Sequence, residues 1–164
     1  MATDTRVIIR TATRDDIPTL VDLIRPFVDA GTLLERTYDE FDDLLPNFFV
    51  AVDAETGTIL GCAALEIYSR KLAEIRSLAV SAAAQGRGVG RLLVAACIAQ
   101  AQENNILEIM AITSTDDFFK RCGFDYTLPG AKRALFFQTS DPDGQHTNHQ
   151  STYPPRPTSR SDSD

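Results

Sequence analysis

Histidine is almost missing from this sequence. Of 164 residues, only His146 and His149 are histidine, and both fall in the last 20 positions, outside any stretch that reads as folded. Ser-His-Asp and Cys-His catalysis drop out with them, as do most transition-metal sites, so no metal is expected. Cysteine is nearly as scarce. Cys62, Cys97 and Cys122 stand at unrelated spacings and form neither a CxxC pair nor a disulfide framework. Free thiols suit a reducing cytosol. No run is long and apolar enough to span a bilayer, and Met1–Arg6 lacks the apolar stretch of a signal peptide. The expectation is a cytoplasmic protein away from the membrane. Positive charge is short too, with 16 Lys and Arg against 23 Asp and Glu, a net charge of −7. A general nucleic-acid partner needs clustered cations and is disfavoured; a small anionic ligand at a local basic patch is not.

What is present fits one globular domain. Hydrophobic residues make up 43% and charged residues 24%, near the globular average. Val7 to Arg10 reads as a first strand. Thr13-Arg14-Asp15-Asp16 opens a helix carrying Ile17, Leu20, Val21 and Ile24 at helical spacing. Thr37-Tyr38-Asp39-Glu40 has capping-box form ahead of Phe41, Leu44 and Leu45, and Pro46 ends that helix. Strands are expected at 48–53, 59–68, 73–80, 106–113 and 135–138, and helices at 86–102 and 116–121. In the first of these helices, Leu92, Leu93, Ala96 and Ala99 form the expected buried face. From Ser140 the composition turns to Pro, Ser, Thr, Asp and Gln, so residues 140–164 are expected to be a disordered tail behind a domain at 1–139. The element order implies an α+β fold rather than an alternating βαβ chain.

The sharpest local feature is the strand end Leu78-Ala79-Val80 followed by Gln85-Gly86-Arg87-Gly88-Val89-Gly90-Arg91. A buried strand runs into a glycine-rich turn that opens a helix. The first helical N–H groups lack intrahelical acceptors, and together with the helix dipole they form an anion site. Glycine lets the backbone approach closely, and Arg87 and Arg91 add full positive charge. A Walker A loop would end in Gly-Lys-Ser/Thr, which Arg91-Leu92 does not supply. A dinucleotide fingerprint would space its glycines as G-x-G-x-x-G, whereas Gly86, Gly88 and Gly90 are evenly spaced.

On these residues the chain resembles the GNAT superfamily of N-acetyltransferases, whose loop pattern Gln/Arg-x-x-Gly-x-Gly/Ala is met by Gln85, Gly88 and Gly90. The resemblance covers roughly residues 6 to 139. It implies the GNAT fold, a mixed and mostly antiparallel sheet flanked by helices, and acetyl-CoA as co-substrate. It also implies that the loop from Gln85 to Arg91, including Gly86, Arg87, Gly88, Val89 and Gly90, holds the cofactor's pyrophosphate. Leu78, Ala79 and Val80 would bond the pantetheine arm through their backbone.

Acetyl transfer to an amine needs the amine neutral, so a group must accept a proton, directly or through water. Glu74 is the best-situated carboxylate. On a regular strand it shares a face with Val80, although a bulge, which this superfamily has nearby, breaks that parity. The competing reading is an exposed strand glutamate paired with Arg70 or Lys71. The superfamily often carries a tyrosine acid in the short helix before Gly123-Phe124, where this chain has Phe119. Phe119 cannot donate a proton, and its expected role is packing beside the cofactor. Ser77, Thr115 or water is left as the donor to the leaving thiolate.

Several segments are similar to the acetyltransferase domain of N-acetylglutamate synthases in a short, stand-alone form. They include Ile24–Phe27 with Gly31–Arg36, Gly61–Leu65, Ala73–Ile75, Thr113–Phe119 and Leu128–Arg133. This resemblance implies a small-molecule acceptor, L-glutamate, a role in arginine biosynthesis, and a substrate site at Leu34 and Arg36. A guanidinium grips a carboxylate through two parallel hydrogen bonds, which agrees. Those synthases often follow the last strand with an arginine; here Gln138 precedes Thr139, and Lys132 or Arg133 is expected to compensate. Another amine, a protein N-terminus or a non-catalytic acetyl-CoA sensor stays open, as does a homodimer.

Overall fold

A computed structural model describes residues 6–126, together with Leu135 and Phe137. Period-two alternation builds its sheet from β1 (Val7–Thr11), β2 (Phe48–Asp53), β3 (Ile59–Ile67), β4 (Leu72–Val80) and β5 (Glu108–Met110). The strands lie in chain order, antiparallel from β1 to β4 and parallel between β4 and β5. Along β2, Phe49 and Ala51 turn to one face while Phe48 and Val50 turn to the other. Both faces are therefore buried, which explains why β2 reads as a continuous apolar run.

The first two helices follow points where side chains satisfy free amides. Asp16 accepts from the N–H of Thr13 at 2.8 Å and from its hydroxyl at 3.1 Å. Arg10 of β1 forks onto the same carboxylate at 2.7 and 3.0 Å. The chain then passes through a 3-10 turn, Arg14–Asp16, into α1 (Ile17–Asp29). Thr37 and Glu40 exchange a reciprocal pair of bonds, 2.7 and 3.3 Å, that caps α2 (Tyr38–Leu44). Ile17, Leu20 and Ile24 of α1 and Phe41 of α2 cover one sheet face over Phe48, Val50, Cys62 and Ala64. On the other face α3 (Val89–Glu103) lays Val89, Leu93, Val94 and Cys97 on Ala63, Leu65, Ala73 and Ile75. Gly61 permits this approach. A Cβ there would stand 2.8 Å from the Ala79 carbonyl oxygen and 3.2 Å from Val89 Cγ1.

Three expectations need correction. Leu92 and Ala99 are exposed, and the buried face of α3 runs through Val89, Leu93, Val94 and Cys97 instead. The helix is apolar on most sides, so spacing alone does not select its buried stripe. β5 is only Glu108–Met110, because the chain leaves the sheet early to reach α4 (Asp116–Arg121). In the expected last strand, Leu135 and Phe137 carry no strand assignment, while its other two positions lie outside the described residues. Lys132, Arg133 and the segment 140–164 also lie outside them. One compact unit ends at Asp125, and Tyr126 begins a second.

The facing of β4 matters most for function, and here the bulge named as the exception to strand parity is present. Cys62 pairs with Ala79 but Ala64 pairs with Arg76, so β4 spends three residues where β3 spends two. The extra residue is Ser77, at φ 53. This is a β-bulge, and it flips the facing of everything after it. Ala73 and Ile75 face α3 before the bulge; Leu78 and Val80 face it afterwards, with Ala79 turned to α1. Glu74 and Val80 therefore do not share a face.

The Arg10 bond, against some opposing burial and with help from Thr13, holds the Asp16 carboxyl down at about 2. A carboxyl depressed in the folded state stabilises the fold above its unfolded value near 4 and loses that contribution as pH falls toward 2. Because half-exposed Arg10 is partly screened, Asp16→Asn should cost roughly 1 kcal/mol at pH 7. Urea melts from pH 7 to 2.5 check this: the variant's deficit should shrink steadily below pH 4 toward the acid end.

Candidate active site

Two cavities flank β4. The first, of about 370 Å³, sits at the start of α3 and is lined by Val80, Ala84, Gln85, Gly86, Gly88, Val89, Gly90 and Arg91, with Phe118, Arg121 and Cys122 from the α4 side. Gly86 and Gly88 have φ of 79 and 75. An L side chain at either would cost about 1 kcal/mol, so glycine here follows from the turn itself. Gln85 donates to the Val80 carbonyl at 3.3 Å, tying the loop back to β4. The Leu92 N–H closes onto Gly88 O at 3.2 Å, which leaves the amides of Val89, Gly90 and Arg91 ahead of the helical ladder. A Cβ on Gly90 would meet Phe118 at 3.3 Å, so α4 comes close to the helix start. Arg91 and Arg121 bring two guanidiniums to a protein of net negative charge.

Not every residue expected at this loop lines the cavity. Arg87 is exposed and off the lining, as are Leu78 and the buried Ala79. Phe119 packs into the core edge-on to Phe124, 5.3 Å between ring centres, and its neighbour Phe118 takes the cavity wall. Beyond Glu74, which pairs with Met110, β4 has no β5 partner among the described residues.

The second cavity, about 240 Å³, opens on the α2 side of the sheet. Its walls are Leu34, Glu35, Arg36, Glu40, Asp43, Leu44, Glu66 and Arg76. The cause lies in the strands. Ala64 and Cys62 on this face are covered by α1 and α2, but the face continues as Glu66 on β3 and as Glu74 and Arg76 on β4, where cover ends. Arg76 donates to Glu66 at 3.0 Å, and the Tyr68 hydroxyl donates to Glu74 at 2.5 Å. Arg36 donates through Nε to the Ser77 hydroxyl at 2.6 Å. Burial pulls the Arg36 guanidinium below its ordinary range, and the like charge of Arg76 adds to this, against Glu66 and Glu40. For Arg76 burial acts downward as well, yet the Glu66 bond and the charges of Glu74 and Glu66 leave it raised.

Among the expected site residues, Leu34 and Arg36 line this cavity, while Ser77, bonded to Arg36, and Glu74, opposite Glu66, lie off the lining. Glu74 is 8% exposed and bonded to Tyr68, so it is not the solvent-facing partner of Arg70 or Lys71. Thr115 lies apart, exposed at the start of α4 with its hydroxyl 3.0 Å from that of Thr113. Arg76, Glu66 and Tyr68 were missed, as was Phe118. Their signal was available: Glu66-x-Tyr68 and Glu74-x-Arg76 are alternating polar pairs on strands joined by a tight reversal. Burial pushes the Cys62 and Cys97 thiols up to about 12, so neither of these two offers a nucleophile.

A loop of this geometry matches a known family. The family model described as Acetyltransferase (GNAT) family matches residues 17–124. The chain belongs to this family. It is an N-acetyltransferase of GNAT fold, and acetyl-CoA is the co-substrate of that chemistry. An uncharacterized N-acetyltransferase of Chlorobaculum tepidum is 35% identical over 71% of this chain and 74% of that protein. An amino-acid acetyltransferase of Mycobacterium tuberculosis is 30% identical over 74% of this chain and 70% of its own. The N-acetylglutamate synthase of Neisseria gonorrhoeae, solved with coenzyme A and N-acetyl-glutamate, is 34% identical with a TM-score of 0.65. That match covers 71% of this chain but 27% of the synthase. No helix among the described residues is long and apolar enough to cross a membrane.

The acetyltransferase loop fits a pyrophosphate, with glycines where side chains would strain or crowd and cations on two sides. Arg91→Ala and Arg121→Ala should each weaken CoA binding by about tenfold, as expected for one lost charge-assisted contact. Calorimetry on each variant checks this, and equal affinities would reject the assignment.

Proposed function

We propose that this acetyltransferase acts on the α-amine of a free amino acid, with L-glutamate as its acceptor. One observation carries the reading: Arg36 and Arg76 stand in mutual range at the wall of a cavity that borders the strand of Glu74. Two guanidiniums repel each other, and a carboxylate between them relieves that cost while gaining bidentate hydrogen bonds. Arg76 offers here a second cation on the β4 side, whatever Lys132 contributes. Resemblance to the gonococcal synthase and to the mycobacterial amino-acid acetyltransferase supports the same acceptor class.

Acetyl-CoA supplies the activated acetyl group; the residues supply orientation and proton transfer. Glu74 takes the proton from the acceptor's ammonium, directly or through water, which frees the lone pair for attack. Its burial beside the open edge of β4 suits that task. Ser77 accepts from Arg36 and keeps its own proton for donation to the departing sulfur. Thr115, exposed and bonded to Thr113, is the weaker donor. Arginine biosynthesis follows if glutamate is the acceptor.

A second reading rests on the acidic side of the same cavity. Glu35, Glu40, Asp43 and Glu66 outnumber Arg36 and Arg76 there. Glu40 and Glu66 are already engaged with Thr37 and Arg76. That leaves Glu35 and Asp43 facing an acceptor, and they favour one with a second positive charge, such as a dibasic amino acid or a polyamine.

Thiol release from acetyl-CoA, followed with each amino acid and with common polyamines, separates the two. Turnover with L-glutamate is expected, and Arg36→Ala should raise the KM for it by roughly 10- to 100-fold while leaving that for acetyl-CoA unchanged. Turnover with polyamines alone would exclude the glutamate reading.

A further inference from the structure

We propose that Tyr68 is the positioning residue of Glu74, its hydroxyl clamping one carboxylate oxygen so that the other is presented to the acceptor's amine. The inference rests on the reading of Glu74 as the base. Tyr68 is the first residue past β3, and its N–H bonds the Leu72 carbonyl at 3.0 Å across the reversal into β4. That reversal fixes the register, Glu66 opposite Glu74 and Ile67 opposite Ala73. Two residues on from Glu66, Tyr68 returns to the face of Glu74, in the diagonal position from which a long side chain reaches across. The contact, hydroxyl to Oε2 at 2.5 Å, lies in the range of a charge-assisted O–H···O⁻ bond.

The choice of partner matters as much as the distance. Glu66 and Glu74 face each other directly, and a buried pair of like charges is costly. The structure divides their partners: Arg76 Nη1 donates to Glu66 at 3.0 Å, and the neutral phenol serves Glu74. A phenol orients a carboxylate without cancelling its charge, which leaves it able to accept a proton. The charged groups around this pair are Glu66 on β3, Arg76 on β4, Arg36 ahead of α2 and Glu40 within α2. Burial first, and then the Glu74 bond, push the Tyr68 hydroxyl up to about 12, so it stays protonated as a donor throughout the working range.

Tyr68→Phe keeps the ring and deletes only the donor. Its kcat should fall about tenfold, with KM for acetyl-CoA unchanged. Parental kcat in Tyr68→Phe, beside an inactive Glu74→Gln, would overturn this inference alone. Parental turnover in Glu74→Gln would remove the base reading and the inference with it. A crystal structure with CoA in which the hydroxyl lies beyond hydrogen-bond reach of Glu74 overturns the inference whatever the kinetics.

Discussion

One extra residue in β4 governs the arrangement of both cavities. Ser77 sits at a φ that an L residue adopts at a cost of about 1–2 kcal/mol, and it holds two bonds in return. Its carbonyl accepts from the Cys62 thiol at 3.2 Å, its hydroxyl accepts from Arg36, and its flanks keep pairing with β3 on either side. Upstream of it, the polar residues of β4 face the α2 side. Downstream, Leu78 and Val80 face the α3 side, where the glycine loop begins. A regular strand would put acceptor and donor chemistry on the same side of the sheet. The bulge lets a single strand serve both.

Most of the framework was legible because the signals were local. The capping box at Thr37, the boundaries of β2 and α4, and the strand-loop-helix leading to Gly88 depend on residues within a few positions of each other. What escaped depends on distance in the chain. Whether Glu74 and Val80 share a face is decided by one φ value that serine does not advertise. Which side of α3 is buried is decided by the sheet beneath it, since Leu92 is as apolar as Leu93. Phe118 and Phe119 are adjacent and alike, and only the packing of Phe119 against Phe124 makes Phe118 the wall residue.

The same contrast runs through the polar residues. Arg36 was legible as a carboxylate grip, but its partner Ser77 is 41 residues away and Arg76 comes from another element. Electrostatically the second cavity is mixed, with Arg36 and Arg76 set among Glu35, Glu40, Asp43 and Glu66, and these six come from β3, β4, α2 and the segment before α2.

The sheet's joints are also unequal. β4 is bonded to β3 over most of its length, whereas β5 holds it through only three rungs, from Leu72 with Glu108 to Glu74 with Met110. Breathing of a protein concentrates where few bonds must break together. With fewer rungs than any other described strand pair, this seam is where the sheet should fray first, whereas α3 and its glycine turn pack closely on β3 at Gly61.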